Sequence, residues 1–535
     1  MSKTDYKYRL FVFILTLTII LIYCLSLSVP NYLDDRVVLY QAYNLDVPFD
    51  FFRWLQLRYV GLKSFFISKH YNGSLFAIHS VSISIHILNT LLIYLLLHLL
   101  NVNRWLSLFV VVVWAIHPLN SQAVVYISQR FTLVATFWLL LSFISFILFL
   151  RYWQVNGKSK LKETSFWCRS IFYFTMIAIF FLLALFSKQS AAFFPIYLTV
   201  AIFIVSKSKR AILLFALMIT AIILSLYFSP ELLGKIDTLT RETNSYSRVD
   251  YFSTQLYIII IYISKLLIPI NLTLESSVAL VKFGSLIFYI SLVFHTFFIS
   301  TVIYIAKKKN NLNLILALMF FYFSMSVESS FIPIQDLYFE HRMYLPSASL
   351  IFIFFTLFNI FFDKVNIKEI LKLKMLLIIF ALFSYLTANR VMLWQKPYDF
   401  YKNEYEVNPG SSRAMSSYAK ELAKAGEKKE ALELFLKAYN DDLKKGIIRQ
   451  SNLVGLLTIL IDLKYYKDAL KLGHKAIRAT KTRPKLQAVT YAHLALVYYR
   501  MNECGFASGW SKKALSLDSS VTLAKQLIYL CGNTK

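Results

Sequence analysis

The sequence predicts an all-α protein in two parts. Residues 1–395 read as a polytopic membrane helix bundle and residues 396–535 as a soluble α-solenoid. Three observations predict this. Hydrophobic residues make up 58% of the 535 and charged residues only 16%, too little polar surface for a soluble protein of this size. About eleven apolar runs approach the length of a bilayer crossing. After Trp394 the composition turns polar, and repeats of about thirty-four residues begin.

The elements follow in chain order. Lys3, Lys7 and Arg9 precede an apolar run from about Leu10 to Val29. The run is too long for a cleaved leader and lacks a small-residue cleavage site, so it reads as a retained signal anchor. Basic clusters at Lys158/Lys160/Lys162, Lys207/Lys209/Arg210, Lys307/Lys308/Lys309 and Lys364/Lys368/Lys372/Lys374 mark the inner side. Spans drawn between them fall near 10–29, 74–99, 105–117, 131–152, 171–187, 190–206, 211–228, 283–305, 312–328, 346–362 and 375–389. Leu256–Ile270 is apolar but short and carries Lys265, so it reads as re-entrant or interfacial. The span count is then odd. The N-terminus lies inside, and everything after Arg390 lies outside. In the first outer loop, Phe51, Phe52, Leu55, Tyr59 and Leu62 recur near a helical period, opposite Arg53, Arg58 and Lys63. That pattern predicts one surface-lying amphipathic helix over 48–66.

In the C-terminal part the repeats show Tyr418, Ala419, Gly426, Ala431, Phe435 and Ala438, then Tyr466, Ala469, Gly473, Ala476 and Pro484, then Ala495, Tyr498, Ala507 and Ala514. Small residues at these steps let paired helices pack closely. The pattern resembles three tetratricopeptide repeats with a capping helix near Val521–Cys531. Such solenoids bind peptide or protein in a concave groove. Of the four cysteines, Cys24 and Cys168 have no metal-ligand spacing. Cys504 and Cys531 read as two unpaired structural thiols, although an oxidising compartment allows them to pair.

The residues that break the apolar pattern all fall on the outer side. They are Asp34, Asp35, His117, Arg130, Lys188, Arg248, Glu340, His341, Arg342 and Arg390. Ionisable groups at membrane edges are costly and mark function. Asp34 or Asp35, in Pro-Asn-Tyr-Leu-Asp-Asp-Arg, can accept a proton at a dry pocket. Arg342, in Glu340-His341-Arg342-Met343-Tyr344, can grip a phosphate with its planar fork, with His341 assisting as a donor. His117, Arg130, Lys188 and Arg248 add cations or donors that suit an anionic, lipid-linked substrate. The net charge of +28 does not imply nucleic acid, because Lys and Arg cluster in short loops between spans. No phosphate-cradling glycine loop, metal-ligand helix or nucleophile elbow occurs. A transferase without a nucleotide site must take its donor from elsewhere, and a lipid carrier reached from the bilayer fills that gap.

Four stretches carry a resemblance. They are the acidic pair after the first span, His-Pro-Leu-Asn-Ser-Gln-Ala-Val-Val-Tyr-Ile-Ser-Gln-Arg at 117–130, Ser-Lys-Gln at 187–189, and Phe-Glu-His-Arg-Met-Tyr-Leu-Pro-Ser at 339–347. Together with the repeats they resemble the transmembrane and tetratricopeptide-repeat-containing O-mannosyltransferases and their bacterial relatives, within the GT-C glycosyltransferases. The resemblance implies a GT-C-like bundle that moves a sugar from a polyprenyl-phosphate donor to Ser or Thr of an acceptor protein. It implies Asp35 or Asp34 as base, with Asp35 preferred, and Arg342 at the donor phosphate. Arg130, Lys188 and Arg248 are weaker candidates for the same phosphate. No metal is expected, since there is no obvious outer carboxylate cluster beyond Asp34/Asp35 and Glu340. The repeats would present the acceptor.

Other readings remain open. A polymerase or ligase of surface polysaccharide would share the polyprenyl-linked donor. A non-enzymatic membrane scaffold would not need so many spans or outer charges, and a transporter would show internal repeats and mid-membrane ionisable groups, which the spans lack. The bias toward Ile, Lys, Asn, Tyr and Phe points to a bacterial inner membrane with the repeats periplasmic, or to the endoplasmic reticulum membrane in a eukaryote.

Overall fold

The computed structural model describes residues 3–70, 72–156, 163–206, 246–274, 278–365, 369–444, 446–481 and 483–532. Every regular element among them is helical. The chain divides into two compact units, Met1–Gln395 and Lys396–Lys535.

Among the described residues of the first unit, six helices are long and apolar enough to cross a membrane: Leu75–Leu99, Ile127–Asn156, Thr164–Leu185, Leu286–Lys308, Pro346–Lys364 and Ile370–Gln395. A seventh crossing is available if Arg104–Ala115 and Pro118–Val125, bent by 50°, act as one span. This is the fold of a multi-pass membrane protein. The runs expected as spans at 10–29, 190–206 and 312–328 correspond to shorter apolar helices, Val12–Ser28, Gln189–Ile204 and Leu312–Ser326. The expected span at 211–228 lies outside the described residues.

Loops meet at the two ends of this bundle in two separate sets. At one end Arg58 Nε donates to Gln189 Oε1 at 3.0 Å, Val60 N–H to the Phe186 carbonyl at 3.1 Å, and Tyr251 Oη to the Glu328 carbonyl at 2.7 Å. At the other, Arg151 donates to the Leu99 carbonyl, and Asn313 Nδ2 to the Leu100 carbonyl at 3.1 Å. Each residue singled out from the sequence belongs to the first set of loops or borders it.

Arg248–Leu267 is one continuous helix of 20 residues. Both its ends engage the first set. Tyr251 holds Glu328 near its start, and the Leu266 carbonyl accepts from His117 Nε2 at 2.9 Å near its finish. A helix of this length is about 30 Å long. It therefore lies across that end of the bundle as a crossbar.

The single helix expected over 48–66 is instead three short ones, Phe51–Leu57, Tyr59–Lys63 and Phe66–Lys69. The break is Arg58, in the left-handed region at φ 53°, ψ 49°. Folding the chain back there stacks Trp54 on Tyr59 at 3.8 Å. It also carries Arg58 to Gln189 and over the Phe131 ring, contacts that a straight surface helix forgoes. Gly61 makes the return possible. A Cβ there would sit 2.4 Å from Phe131 Cδ1 and 3.0 Å from the Ser187 carbonyl.

The second unit is a series of helix pairs from Ser412–Lys424 to Thr522–Gly532, each helix packed on the next, with Ser412–Lys424, Gln450–Asp462, Pro484–Arg500 and Thr522–Gly532 also packed one on another in turn. Ala419, Ala431, Ala438, Ala469, Ala476 and Ala514 are fully buried, so adjacent helices approach closely. Gly426, at φ +91°, makes the turn between the first pair. Cys504 and Cys531, expected as free thiols, form a disulfide with Cα atoms 5.3 Å apart. The pairing has a spatial cause. The helix Thr522–Gly532 folds back along Cys504–Leu517 and brings its last turn to the other's first.

Gly61→Val is expected to lower the apparent melting temperature of the detergent-solubilised chain, by the ~1–3 kcal/mol typical of overpacking. An unchanged melting curve contradicts the close approach.

Candidate functional site

The site is built from four loops that the helix ends bring together. Glu328 follows the helix Leu312–Ser326, and Lys188 occupies the tight turn after Thr164–Leu185. His341 and Arg342 lie in a short 3₁₀ turn, Glu340–Met343, before Pro346–Lys364. Lys188 Nζ is 2.9 Å from Glu328 Oε1, and Arg342 Nε is 3.9 Å from Glu328 Oε2. Arg342 also donates to the carbonyls of Leu337 at 2.9 Å and Asp336 at 2.7 Å. Arg58 reaches the same centre electrostatically. One carboxylate thus faces three cations.

Burial pushes the Glu328 carboxyl up, but Lys188 and Arg342 outweigh it and hold it below its ordinary value. Glu328 is therefore ionised and the cluster carries excess positive charge. Lys188, His341, Arg342 and Glu328 line a small cavity of about 30 Å³ with Thr132, Thr136, Ser190 and Ser324. Leu345 lines both this polar cavity and a second, apolar one of about 100 Å³. The apolar cavity runs between the helices to Leu100, Val102 and Asn313 at the opposite end.

The strip 328–346 is held in place from two sides. Along the crossbar, Tyr251 donates to the Glu328 carbonyl, Gln255 Nε2 to the Leu337 carbonyl at 3.0 Å, and Tyr262 Oη to the Phe339 carbonyl at 2.8 Å. From beneath, Tyr344 is fixed by a chain with one self-consistent arrangement of protons. His86 Nε2 donates to the Ala115 carbonyl, so its Nδ1 accepts from Tyr344 Oη at 2.7 Å. Asn89 Nδ2 then donates to the same hydroxyl at 3.3 Å.

The acidic pair is divided by its surroundings. Asp35 is 1% exposed. Its Oδ2 accepts from Tyr32 N at 2.9 Å, and its Oδ1 accepts from Ser128 N at 2.8 Å and Ser128 Oγ at 2.5 Å. Burial raises its carboxyl from 3.8 to about 7, against those hydrogen bonds and with a small push from Asp34. Asp34 is exposed, and its backbone N–H donates to Tyr126 Oη at 3.4 Å. The two halves of the site share one stretch of chain. Ser128 anchors Asp35, and Thr132, four residues on, accepts from Lys188 Nζ at 3.3 Å. Four residues of helix advance by about 6 Å.

The other expected residues stand apart from the cation cluster. Arg130 is fully buried and donates to Ser82 Oγ, Ser68 Oγ and the Ile78 carbonyl, with its guanidinium over Phe65. It ties the first loop to the bundle. His117 has both ring nitrogens committed to backbone, Nδ1 accepting from Leu119 N and Nε2 donating to Leu266 O. Arg248 Nη1 donates to the Phe331 carbonyl at 2.7 Å, and Glu340 accepts from Thr273 N. Arg390 lies 6.0 Å from the Trp394 ring. Among the described residues no three His, Cys, Asp or Glu side chains converge as a metal would need.

Sequence reasoning did not single out Arg58, Gln122, Ser128 or Glu328 as site residues. Glu328 carried a signal, being an acid directly after an apolar run. Gln122 and Ser128 lie inside the 117–130 stretch that carries the resemblance, whereas Arg58 carried no signal, because only the fold brings it in. Comparison with family models and with curated proteins yields no match.

The Asp35 shift has a definite sign. A carboxyl raised from 3.8 to about 7 in the fold costs stability progressively as pH climbs through that window, with the full cost present above it. Asp35→Asn is therefore expected to gain stability relative to the parent between pH 5 and pH 8, read as a difference in melting temperature. A pH-independent difference contradicts this.

Proposed function

We propose that this protein is a membrane glycosyltransferase of GT-C type, moving a sugar from a polyprenyl-phosphate donor to Ser or Thr of an acceptor protein. The observation that carries the reading is the cavity of Lys188, Arg342 and Glu328, with Arg58 acting on it electrostatically and an apolar cavity between the helices on the other side of Leu345. A group of cations beside an apolar tunnel suits one ligand chemistry best, a phosphate on a long hydrocarbon chain. The remaining candidates take supporting roles. Arg130, His117 and Arg248 hold the loops, and Glu340 pins Thr273 beneath His341.

The reaction is an inverting displacement. The acceptor hydroxyl oxygen bonds to the anomeric carbon as the bond from that carbon to the phosphate oxygen breaks. The proton passes to a carboxylate, and the lipid phosphate departs with its added negative charge against Lys188 and Arg342. Asp34, exposed beside Tyr126, is the better immediate acceptor of that proton. Asp35, with both oxygens occupied, orients the loop and Ser128.

The helix pairs of the second unit act in this reading as three tetratricopeptide repeats with a cap, presenting the acceptor. A groove lined by Phe435, Val454 and Ile459 together with Lys420, Lys424 and Asp462 supports a peptide ligand with both apolar and charged side chains. The Cys504–Cys531 disulfide supports an oxidising compartment for this unit, outside the cytoplasm. An eleven-span topology with both acids and repeats outer, in a bacterial inner membrane, accords with that.

The test is glycan mass on exported proteins in cells carrying each variant at equal membrane abundance. Asp34→Asn is expected to remove a Ser/Thr-linked glycan, with rate loss of about 10²–10⁴-fold. Arg342→Ala is expected to cost about 10²–10³-fold. Unchanged protein glycans with altered surface polysaccharide would turn the assignment to a polymerase or ligase.

A further inference from the structure

Two polar cavity residues do not suit an anion; Glu328 is spent on Lys188 and Arg342, which leaves His341. Its ring and backbone are fixed by Gln122. Gln122 Nε2 donates to the Leu274 carbonyl at 2.7 Å, so its Oε1 is the acceptor end. That Oε1 accepts from His341 N at 2.6 Å and is 3.2 Å from His341 Nδ1. Nδ1 must therefore carry the proton. Phe339 stacks on the ring with centroids 5.0 Å apart and fixes its plane. Burial, then Lys188, Arg342 and Arg58, hold the ring neutral by pushing its protonation well below the ordinary range. Nε2 is left with a bare lone pair, and among the described residues no protein donor reaches it. His341 lines the cavity beside Lys188 and Arg342.

A phosphate oxygen opposite that lone pair is repelled, and a ligand cation is repelled by the three neighbouring cations. A neutral O–H donor is the complement that remains. A phosphodiester has no such hydroxyl of its own at neutral pH, so the donor must belong to the group esterified to it. The hydroxyls of Thr132, Thr136, Ser190 and Ser324 around the same cavity suit a polyol as well.

We propose that His341 Nε2 accepts a hydrogen bond from a hydroxyl of the transferred sugar, directly beside the phosphate, and so selects a glycosyl phosphate over a bare lipid phosphate. This rests on the phosphate site assigned above. His341 is in this account a specificity residue, acting as acceptor and never as proton donor toward the ligand.

The test uses the purified full-length chain in detergent. Three probes of similar charge are compared by ³¹P line broadening: inorganic phosphate, butyl phosphate, and hexose 1-phosphates (glucose and mannose). The parent is expected to bind at least one hexose 1-phosphate about tenfold tighter than butyl phosphate, the worth of one hydrogen bond in a polar pocket. His341→Phe is expected to lose that preference and keep phosphate binding. His341→Gln, with an amide oxygen near the Nε2 position, is expected to restore part of it. Equal binding of butyl and hexose phosphates by the parent would overturn the proposal, since a water would then suffice at Nε2. A preference that survives in His341→Phe would overturn it too. Failure of the parent to bind any of the three would instead overturn the phosphate site itself. Arg342→Ala is expected to weaken all three alike.

Discussion

The structure of this end of the bundle depends on one partly buried carboxylate. Glu328 faces Lys188, Arg342 and Arg58 where an unpaired charge would be costly. Each partner comes from a different loop, so the carboxylate decides where four segments meet. The cost of desolvating these groups is not obviously recovered by their mutual attraction. A core of apolar residues would stabilise the fold as well or better. The arrangement is understandable as an electrostatic site kept incomplete, with more positive charge than Glu328 alone balances.

The scaffolding around that site is correspondingly rigid. Tyr344 is locked from below by His86, Asn89 and Trp114, whose indole donates to the Tyr344 carbonyl at 2.8 Å. The crossbar locks the strip from the side through Tyr251, Gln255 and Tyr262, which share one helix face. Neither support touches the cavity directly. Both fix the backbone of 328–342, which lets Arg342 and His341 keep their geometry in the absence of ligand. The acidic pair is secured in the same way, through Ser128 and Tyr126 just before the helix Arg130–Asn156.

Much of this was legible in the sequence, and the illegible remainder has physical causes. Apolar runs and basic loops show a helical membrane protein, because bilayer length and charge asymmetry are local properties of sequence. They do not separate a full crossing from a short apolar helix such as Leu312–Ser326, because helix ends are set by tertiary partners. Lys188, His341 and Arg342 were visible as charges out of place at span ends, and they do line one cavity. Arg130 and His117 were equally conspicuous, yet their polar atoms are spent on neighbouring backbone and side chains. Sequence shows that a polar group is expensive there. It does not show whether the group is bonded internally or left for a ligand. Arg58 was hidden by its own periodicity, since it fits the polar face of a helix that breaks at that residue. The Cys504–Cys531 pairing was illegible because it depends on how the last helix folds back.

The most direct test of the account is photocrosslinking of the purified full-length chain with a polyprenyl phosphate bearing a photoreactive group partway along its chain. The account predicts labelled peptides from the helices that wall the apolar cavity, Leu312–Ser326, Pro346–Lys364 and the middle of Arg130–Asn156. It also predicts that excess unlabelled polyprenyl phosphate, but not polyprenol, suppresses the labelling, because the cations around Glu328 hold the head group. Labelling spread over the outer faces of the bundle, or competed equally by polyprenol, would contradict a phosphate site joined to a lipid tunnel.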